Sequence, residues 1–157
     1  MSDSTIYGGL SLAYPEGFRE MDEAELKQAY MDDNKDRWGI IDKDRQIMFA
    51  VFWHESGPLI SKMAGSKDVA KNNEKGIRRG LKDHGYRLEG FFEREIAGKK
   101  AHGFRHALMI QDKDSVSEVV TLKNGRVCYT FYYYSPRTLD SDNHKVFDSI
   151  LDSVRLQ

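Results

Sequence analysis

The stretch Arg126 to Tyr134, Arg-Val-Cys-Tyr-Thr-Phe-Tyr-Tyr-Tyr, restricts the architectures open to this chain more than any other. With the two-residue period of a strand, Val127, Tyr129, Phe131 and Tyr133 point one way, and Cys128, Thr130, Tyr132 and Tyr134 the other. Neither face suits water, so the strand belongs inside a sheet covered on both sides. Ile47 to Trp53 has the same character, with Ile47, Phe49, Val51 and Trp53 on one face and Met48, Ala50 and Phe52 on the other. Two such strands call for helical layers above and below one sheet.

The connections set the direction of the strands. Asp42 to Arg45 joins Trp38–Ile41 to Gln46–His54. Ala97 to Lys100 joins Tyr86–Ile96 to Ala101–Ile110, and a polar turn over 111–115 leads to Val116–Leu122. The pair Asn124-Gly125 then reads as a two-residue hairpin loop that sets Leu122 against Val127 and Val120 against Tyr129. Parallel neighbours need crossovers of a dozen residues or more, so these short links predict a largely antiparallel sheet of six to seven strands.

Three helices complete the pattern. Asp22 followed by Glu25 starts a short one to about Tyr30. Lys67 to Lys82 is the second, with Val69, Asn73, Ile77 and Leu81 on one side and a stripe of Lys67, Lys71, Lys75, Arg78 and Lys82 on the other. Its glycines, Gly76 and Gly80, read as sites of close approach to the sheet. The third is capped by Asp140 or Ser141 and buries Val146, Phe147, Ile150, Leu151 and Val154. The expected fold is α+β: one domain over 1–157, a three-layer α/β/α sandwich.

Charge and cysteine narrow the function classes. A net charge of -1 gives no global attraction to nucleic acid or acidic membranes, and the basic stripe has no interleaved aromatic side chains to stack bases. The longest apolar run, Ile47 to Trp53, is far below the roughly 20 residues of a membrane helix. The single cysteine, Cys128, lies inside a strand and reads as a small buried hydrophobe, as in a reducing compartment. With no basic or apolar leader in Met1–Gly9, the chain reads as cytoplasmic.

Three short segments carry a resemblance. Leu10-Ser11-Leu12-Ala13-Tyr14-Pro15-Glu16-Gly17-Phe18 opens the chain, Ile96-Ala97-Gly98-Lys99-Lys100-Ala101 forms an internal turn, and Phe147-Asp148-Ser149-Ile150-Leu151-Asp152-Ser153-Val154 closes it. With the order of elements, they resemble the PsbP-like superfamily, which includes Mog-type and DcrB-like proteins. The resemblance implies a three-layer sandwich that binds proteins rather than catalysing a reaction. It supplies no catalytic signature to carry onto this chain.

The residues themselves offer two functional readings. A protein- or peptide-binding domain would use a sheet face or groove, with Trp53, His54, His106, Tyr132 and Tyr134 as candidate contacts, and a second copy of the chain is another candidate partner. The alternative is a small-ligand or hydrolytic site built from His106, His54, Glu93 and Tyr134. His102 and His106 share a strand face, and a Gly98-Lys99 loop would set Glu95 opposite His102, with Glu93 near. One strand cannot bring both histidines to one ion, so hydrogen-bonded histidines are the simpler reading. The acidic run Asp32 to Asp36 lacks the glycine and distal glutamate of a calcium loop and reads as solvated. No nucleophile elbow, phosphate-cradling loop or other cofactor fingerprint occurs.

Overall fold

The computed structural model describes residues 1–157. Strands β1 (Ser2–Thr5) and β2 (Ser11–Tyr14) form a small antiparallel pair. Edge strand β3 (Arg19–Glu20) precedes helix α1 (Glu23–Tyr30), which is followed by β4 (Arg37–Asp42) and β5 (Ile47–Glu55). Helices α2 (Pro58–Met63) and α3 (Ser66–Gly80) come next. Strands β6 (Arg87–Ile96), β7 (Lys99–Ile110), β8 (Lys113–Asn124) and β9 (Val127–Pro136) then lead to the final helix, α4 (Asp140–Asp152). The large sheet has seven strands in the order β3-β4-β5-β9-β8-β7-β6, each antiparallel to its neighbours. Strand β9, with no polar face in its sequence, is its middle member.

One face of this sheet holds the main core. Tyr129, Phe131 and Tyr133 of β9, with Phe49 and Val51 of β5, are fully buried beneath Phe147, Ile150 and Leu151 of α4 and Leu10 and Leu12 beside β2. The Tyr133 and Phe147 rings stack with centroids 4.7 Å apart. The Ser153 hydroxyl accepts a hydrogen bond from the Ala13 amide at 2.8 Å, which ties α4 to β2.

Helices α1 and α3 cover the other face. The Asp22 carboxylate accepts from the Glu25 amide at 2.8 Å, and the Glu25 side chain accepts from the Asp22 amide at 3.1 Å, the reciprocal start expected from sequence. Leu26 packs over Gly39: a Cβ there would lie 2.8 Å from Leu26 Cδ2, so glycine is what lets α1 reach the sheet. On the other side, Ser66 at the start of α3 bonds His102 Nδ1 of β7 at 2.7 Å. The three layers are therefore α4 with the β1–β2 pair, the sheet, and α1 with α3.

Local details depart from the sequence expectations for identifiable reasons. The β8–β9 turn is Gly125-Arg126, with Gly125 at φ 62, because glycine at the first central position suits a hairpin turn of this hand. Leu122 therefore pairs with Tyr129 and Val120 with Phe131. The β6–β7 turn is Ala97-Gly98, both at positive φ, so Glu93 rather than Glu95 faces His102. Gln111 and Asp112 make a two-residue turn, and the rest of the expected loop over 111–115 is already strand. Each shift moves pairing by two positions and preserves which face a side chain occupies.

The helices hold two further corrections. On α3 the most deeply buried residues are Ala70 and Glu74, while a Cβ at Gly76 or Gly80 would meet nothing within 4 Å. These glycines do not mediate close approach, because the helix is turned to put them in solvent. Neither Asp140 nor Ser141 caps α4: Leu139 occupies that position, and the Asp140 carboxylate is taken by Arg105 and Tyr133 instead. Strand β1 and helix α2 have no counterpart in the sequence reading.

Candidate functional site

Cross-strand neighbours Phe52, Thr130, Thr121 and His102 form one row over β5, β9, β8 and β7. Tyr30 of α1 packs at the Phe52 end, with ring centroids 5.2 Å apart, and Asn73 of α3 donates to Thr121 Oγ1 at 3.5 Å. Thr130 lies between the two helices and neither covers it. Helix α1 is only about 12 Å long, against about 33 Å for β9, so a gap along the middle strand is unavoidable. The result is a groove of about 400 Å³ on this face of the sheet.

Phe52, Cys128, Thr130 and Tyr132 form the floor, Asn34 stands on the α1 side, and Ile60, Ala64, Val69 and Asn73 on the other. Cys128, Thr130, Tyr132 and Tyr134 are all half-buried, so the expectation that both faces of β9 are covered holds fully for one face only. Burial pushes the Tyr132 hydroxyl up to about 12 and raises the Cys128 thiol. Both stay neutral at physiological pH, and the floor carries no charge.

Helix α2 stands at the rim. Its polar groups hold it to the β8–β9 turn: the Ser61 hydroxyl donates to the Gly125 carbonyl at 2.9 Å, Lys123 Nζ to the Ala64 carbonyl at 2.7 Å, and Arg126 Nε to the Ser56 carbonyl at 2.9 Å. Its apolar side chains go the other way. Leu59, Ile60 and Met63 are 71%, 61% and 74% exposed. Three large apolar side chains on one short helix, beside the Phe52, Cys128 and Tyr132 of the groove floor, make an apolar surface that water covers poorly, with Lys123 and Arg126 at its end. Also at this end, the Tyr7 ring stacks on Trp53 at 5.6 Å and its hydroxyl donates to Glu55 Oε1 at 2.8 Å.

Of the residues singled out in sequence, the groove gathers His54 and Tyr132; Trp53 borders its end, but its ring turns to the other face of the sheet and packs on Tyr7. Tyr134 is on the same sheet face but outside the groove lining, its hydroxyl 3.3 Å from Ser115 Oγ. His106 lies elsewhere, buried under α3 between the rings of Tyr86 and Phe104 at 5.0 and 5.9 Å. Burial lowers its pKa, so it sits there neutral. Beside it, the Tyr86 hydroxyl donates to Glu74 Oε2 at 2.6 Å, and Arg78 pairs with the same carboxylate. Glu93 pairs with Lys100 at 3.2 Å at the surface. His54, His106, Glu93 and Tyr134 thus do not share one pocket, and His102, His106, Glu93 and Glu95 do not surround a common point.

A different cluster of ionisable groups does converge, under α4 on the opposite face. Arg105 pairs with Glu118 at 2.9 Å, with Asp140, and with Glu89 at 3.2 Å. The Tyr133 hydroxyl donates to Asp140 Oδ1 at 2.7 Å, and His144 Nε2 lies 2.7 Å from Glu118 Oε2. Burial opposes ionisation of Asp140, but the Arg105 guanidinium and the Tyr133 hydroxyl outweigh it and hold the carboxyl below its usual range. Each charge has its partner, and the cluster fastens α4 to the sheet. Its sequence signal is slight: Arg105 and Glu118 are polar residues at inward positions of otherwise apolar strands, visible only once the register is known.

No family model and no characterised protein matches this sequence. Solved structures do match. The solution structure of cyanobacterial PsbP (CyanoP) from Synechocystis sp. PCC 6803 aligns with a TM-score of 0.70 and 15% identity, over 99% of this chain and 92% of that one. The chain has the PsbP-like fold. The Ran-binding protein Mog1p of Saccharomyces cerevisiae shares it, with a TM-score of 0.63 and 7% identity over 99% and 94% of the two chains. A Bacteroides thetaiotaomicron protein aligns at 0.64 and 12% identity, over 99% of this chain and 48% of its own. At these identities the likeness concerns backbone alone, and the PsbP-like fold supplies the frame on which the groove residues are this chain's own.

Proposed function

We propose that residues 1–157 form a single non-catalytic domain that binds a protein or peptide partner in the groove between α1 and α3. The observation that carries this reading is the solvent exposure of Leu59, Ile60 and Met63 on a helix hydrogen-bonded at the rim of a half-covered sheet face whose floor is Phe52, Cys128, Thr130 and Tyr132 and whose end carries Lys123 and Arg126. Exposed apolar side chains gain when a partner removes them from water, at about 25 cal/mol per Å². The partner segment is apolar on the side facing the floor. Tyr132 and His54 supply amphipathic contacts, each with an apolar body and a polar tip. That Mog1p, of the same fold, is a Ran-binding protein supports a protein partner in general terms.

We place this activity in the cytoplasm on the reading of the sequence. No helix is long and apolar enough to cross a membrane.

The test is a selection of peptides from a random library on the wild-type chain, followed by titration of the selected peptides against a Leu59→Glu/Ile60→Glu/Met63→Glu variant. All three side chains are exposed, so the variant keeps its fold. The reading predicts that the selected peptides carry apolar residues and lose at least about tenfold in affinity for the variant. Peptides that bind both proteins equally would show that the groove is not the site.

A further inference from the structure

Two cations line the groove at its β8–β9 end, and nothing in the chain neutralises them. Lys123 is half-buried and lies across from Cys128 of the floor, while Arg126 is exposed in the turn itself. Asp and Glu outnumber Lys and Arg by 25 to 24, yet neither cation forms an ion pair within the chain. No aspartate or glutamate lines the groove. The carboxylates next to lining residues in sequence are engaged elsewhere. Asp33, before Asn34, pairs with Lys27, and Glu55, between His54 and Ser56, accepts from the Tyr7 hydroxyl.

Both cations are held in place. Lys123 Nζ is bonded to the Ala64 carbonyl and Arg126 Nε to the Ser56 carbonyl, one at each end of α2, and most of their donors remain free. Fastening α2 does not by itself call for charge, since Ser61 makes the same kind of bond to the Gly125 carbonyl with a neutral hydroxyl. An ammonium half removed from water without a counter-charge is unfavourable, and a carboxylate relieves it more in a groove than on open surface, because the walls exclude the water that would screen the pair. Burial raises the Cys128 thiol and the Lys123 charge acts against that rise, so the charge reaches the floor. Along β9 the floor then runs from Cys128 through Thr130 to Tyr132, whose ring lies 4.8 Å from Phe52 and 5.6 Å from Tyr30. The groove therefore has a cationic end and an aromatic end, separated by about 13 Å, or about four residues of extended chain.

We propose that the groove takes a peptide segment that is apolar at one end and acidic at the other, with its apolar side chains over Phe52 and Tyr132 and its acidic side chains on Lys123 and Arg126. This assignment rests on the peptide-binding reading and adds the charge and polarity of the partner. The unpaired cations select the occupant, since an apolar segment alone would cover them and leave them without a counter-charge.

The peptides selected on the wild-type chain provide the test. Each is titrated, beside a form in which Asp and Glu are replaced by Asn and Gln, against the wild type and against Lys123→Gln/Arg126→Gln. Selected peptides should carry acidic residues about four positions from their apolar ones. The amide forms should bind the wild type about tenfold or more weakly, and both forms should bind the variant alike. Raising salt from about 0.05 M to 0.5 M should weaken the acidic forms and spare the amide forms. If the variant loosens α2, both forms lose affinity for it together, so the difference between forms still isolates the charge. A second variant, Lys123→Glu/Arg126→Glu, should prefer peptides in which Lys replaces the acidic residues. An equal loss for the amide forms on wild type and variant overturns the assignment, as does a loss that comes only from amidating the peptide C-terminus. A dimer of the free chain that the peptides dissociate would give the groove to a second copy and overturns it as well. Peptides that depend on Leu59, Ile60 and Met63 but not on their own charge remove this assignment and leave the peptide-binding reading standing, whereas peptides indifferent to the α2 variant remove both.

Discussion

Tyr132 and Tyr133 are adjacent, chemically identical and used in opposite ways. Tyr133 stacks on Phe147 and gives its hydroxyl to Asp140 within the ionic cluster, whereas Tyr132 lies on the open floor of the groove. Strand periodicity separates them in the sequence, but which of the two faces is sealed depends on helices whose reach the sequence does not state. His144 was equally hidden, since its partners Glu118 and Asp148 come from β8 and α4 and only the folded register brings Glu118 to it. The hydrogen bond to Glu118 raises the His144 pKa, with Asp148 and Asp140 adding to the effect against the cost of burial. A raised pKa means that the fold favours the protonated ring. The stabilisation is complete below the ordinary histidine value of about 6.5 and is lost as pH rises through the elevated one. The wild type should therefore melt above His144→Gln by a margin that is largest near pH 6 and gone by about pH 9. His106, with its lowered pKa, titrates in the opposite sense, but it is common to both proteins and cancels in the comparison. A margin that grows with pH would contradict the assigned role of Glu118.

At the scale of elements, hairpins were legible and coverage was not. Alternation in β5, β7, β8 and β9 gives the faces correctly even where a turn lies one residue from its expected place, because the displacement preserves parity. Helix α2 escaped detection because Pro58–Met63 is too short for a periodic signal and its apolar residues face solvent, against the rule by which amphipathic helices are read. Helix α3 was found, but its rotation was misjudged. Ala70 and the buried, paired Glu74 face the sheet, and a polar residue in that position looks like a solvent one. The glycines follow from this. Gly76 is exposed in the helix interior with open space where a side chain would go. Gly76→Ala should stabilise the chain by about 0.5–1 kcal/mol, the usual helix-propensity difference, seen as a higher urea midpoint at unchanged slope. Destabilisation would mean that α3 packs more closely than described.

For the whole molecule, layer order and sheet direction could be read from two doubly apolar strands and a set of short links. Sequence also named two side chains of the groove, His54 and Tyr132, because aromatic rings near strand ends are good contact residues wherever the strand is open, whereas Trp53 beside them alternates to the other face. It could not name the groove itself, which exists because an eight-residue α1 and α3 leave the middle strand uncovered between them. His106 and Tyr134, which the sequence suggests for the same site, do not join it: α3 seals one and the other lies farther along β9. On the reading proposed above, this half-covered face, with its apolar rim helix, is where the chain meets its partner. The most direct measurement is photo-crosslinking in living cells from a benzophenone side chain at Ile60, with a control at exposed Lys145 on α4 across the sheet. Discrete adducts are expected from Ile60, identified by mass spectrometry as a partner or a second copy, and none of these from Lys145. No adduct at Ile60, or the same adducts from both positions, would contradict it.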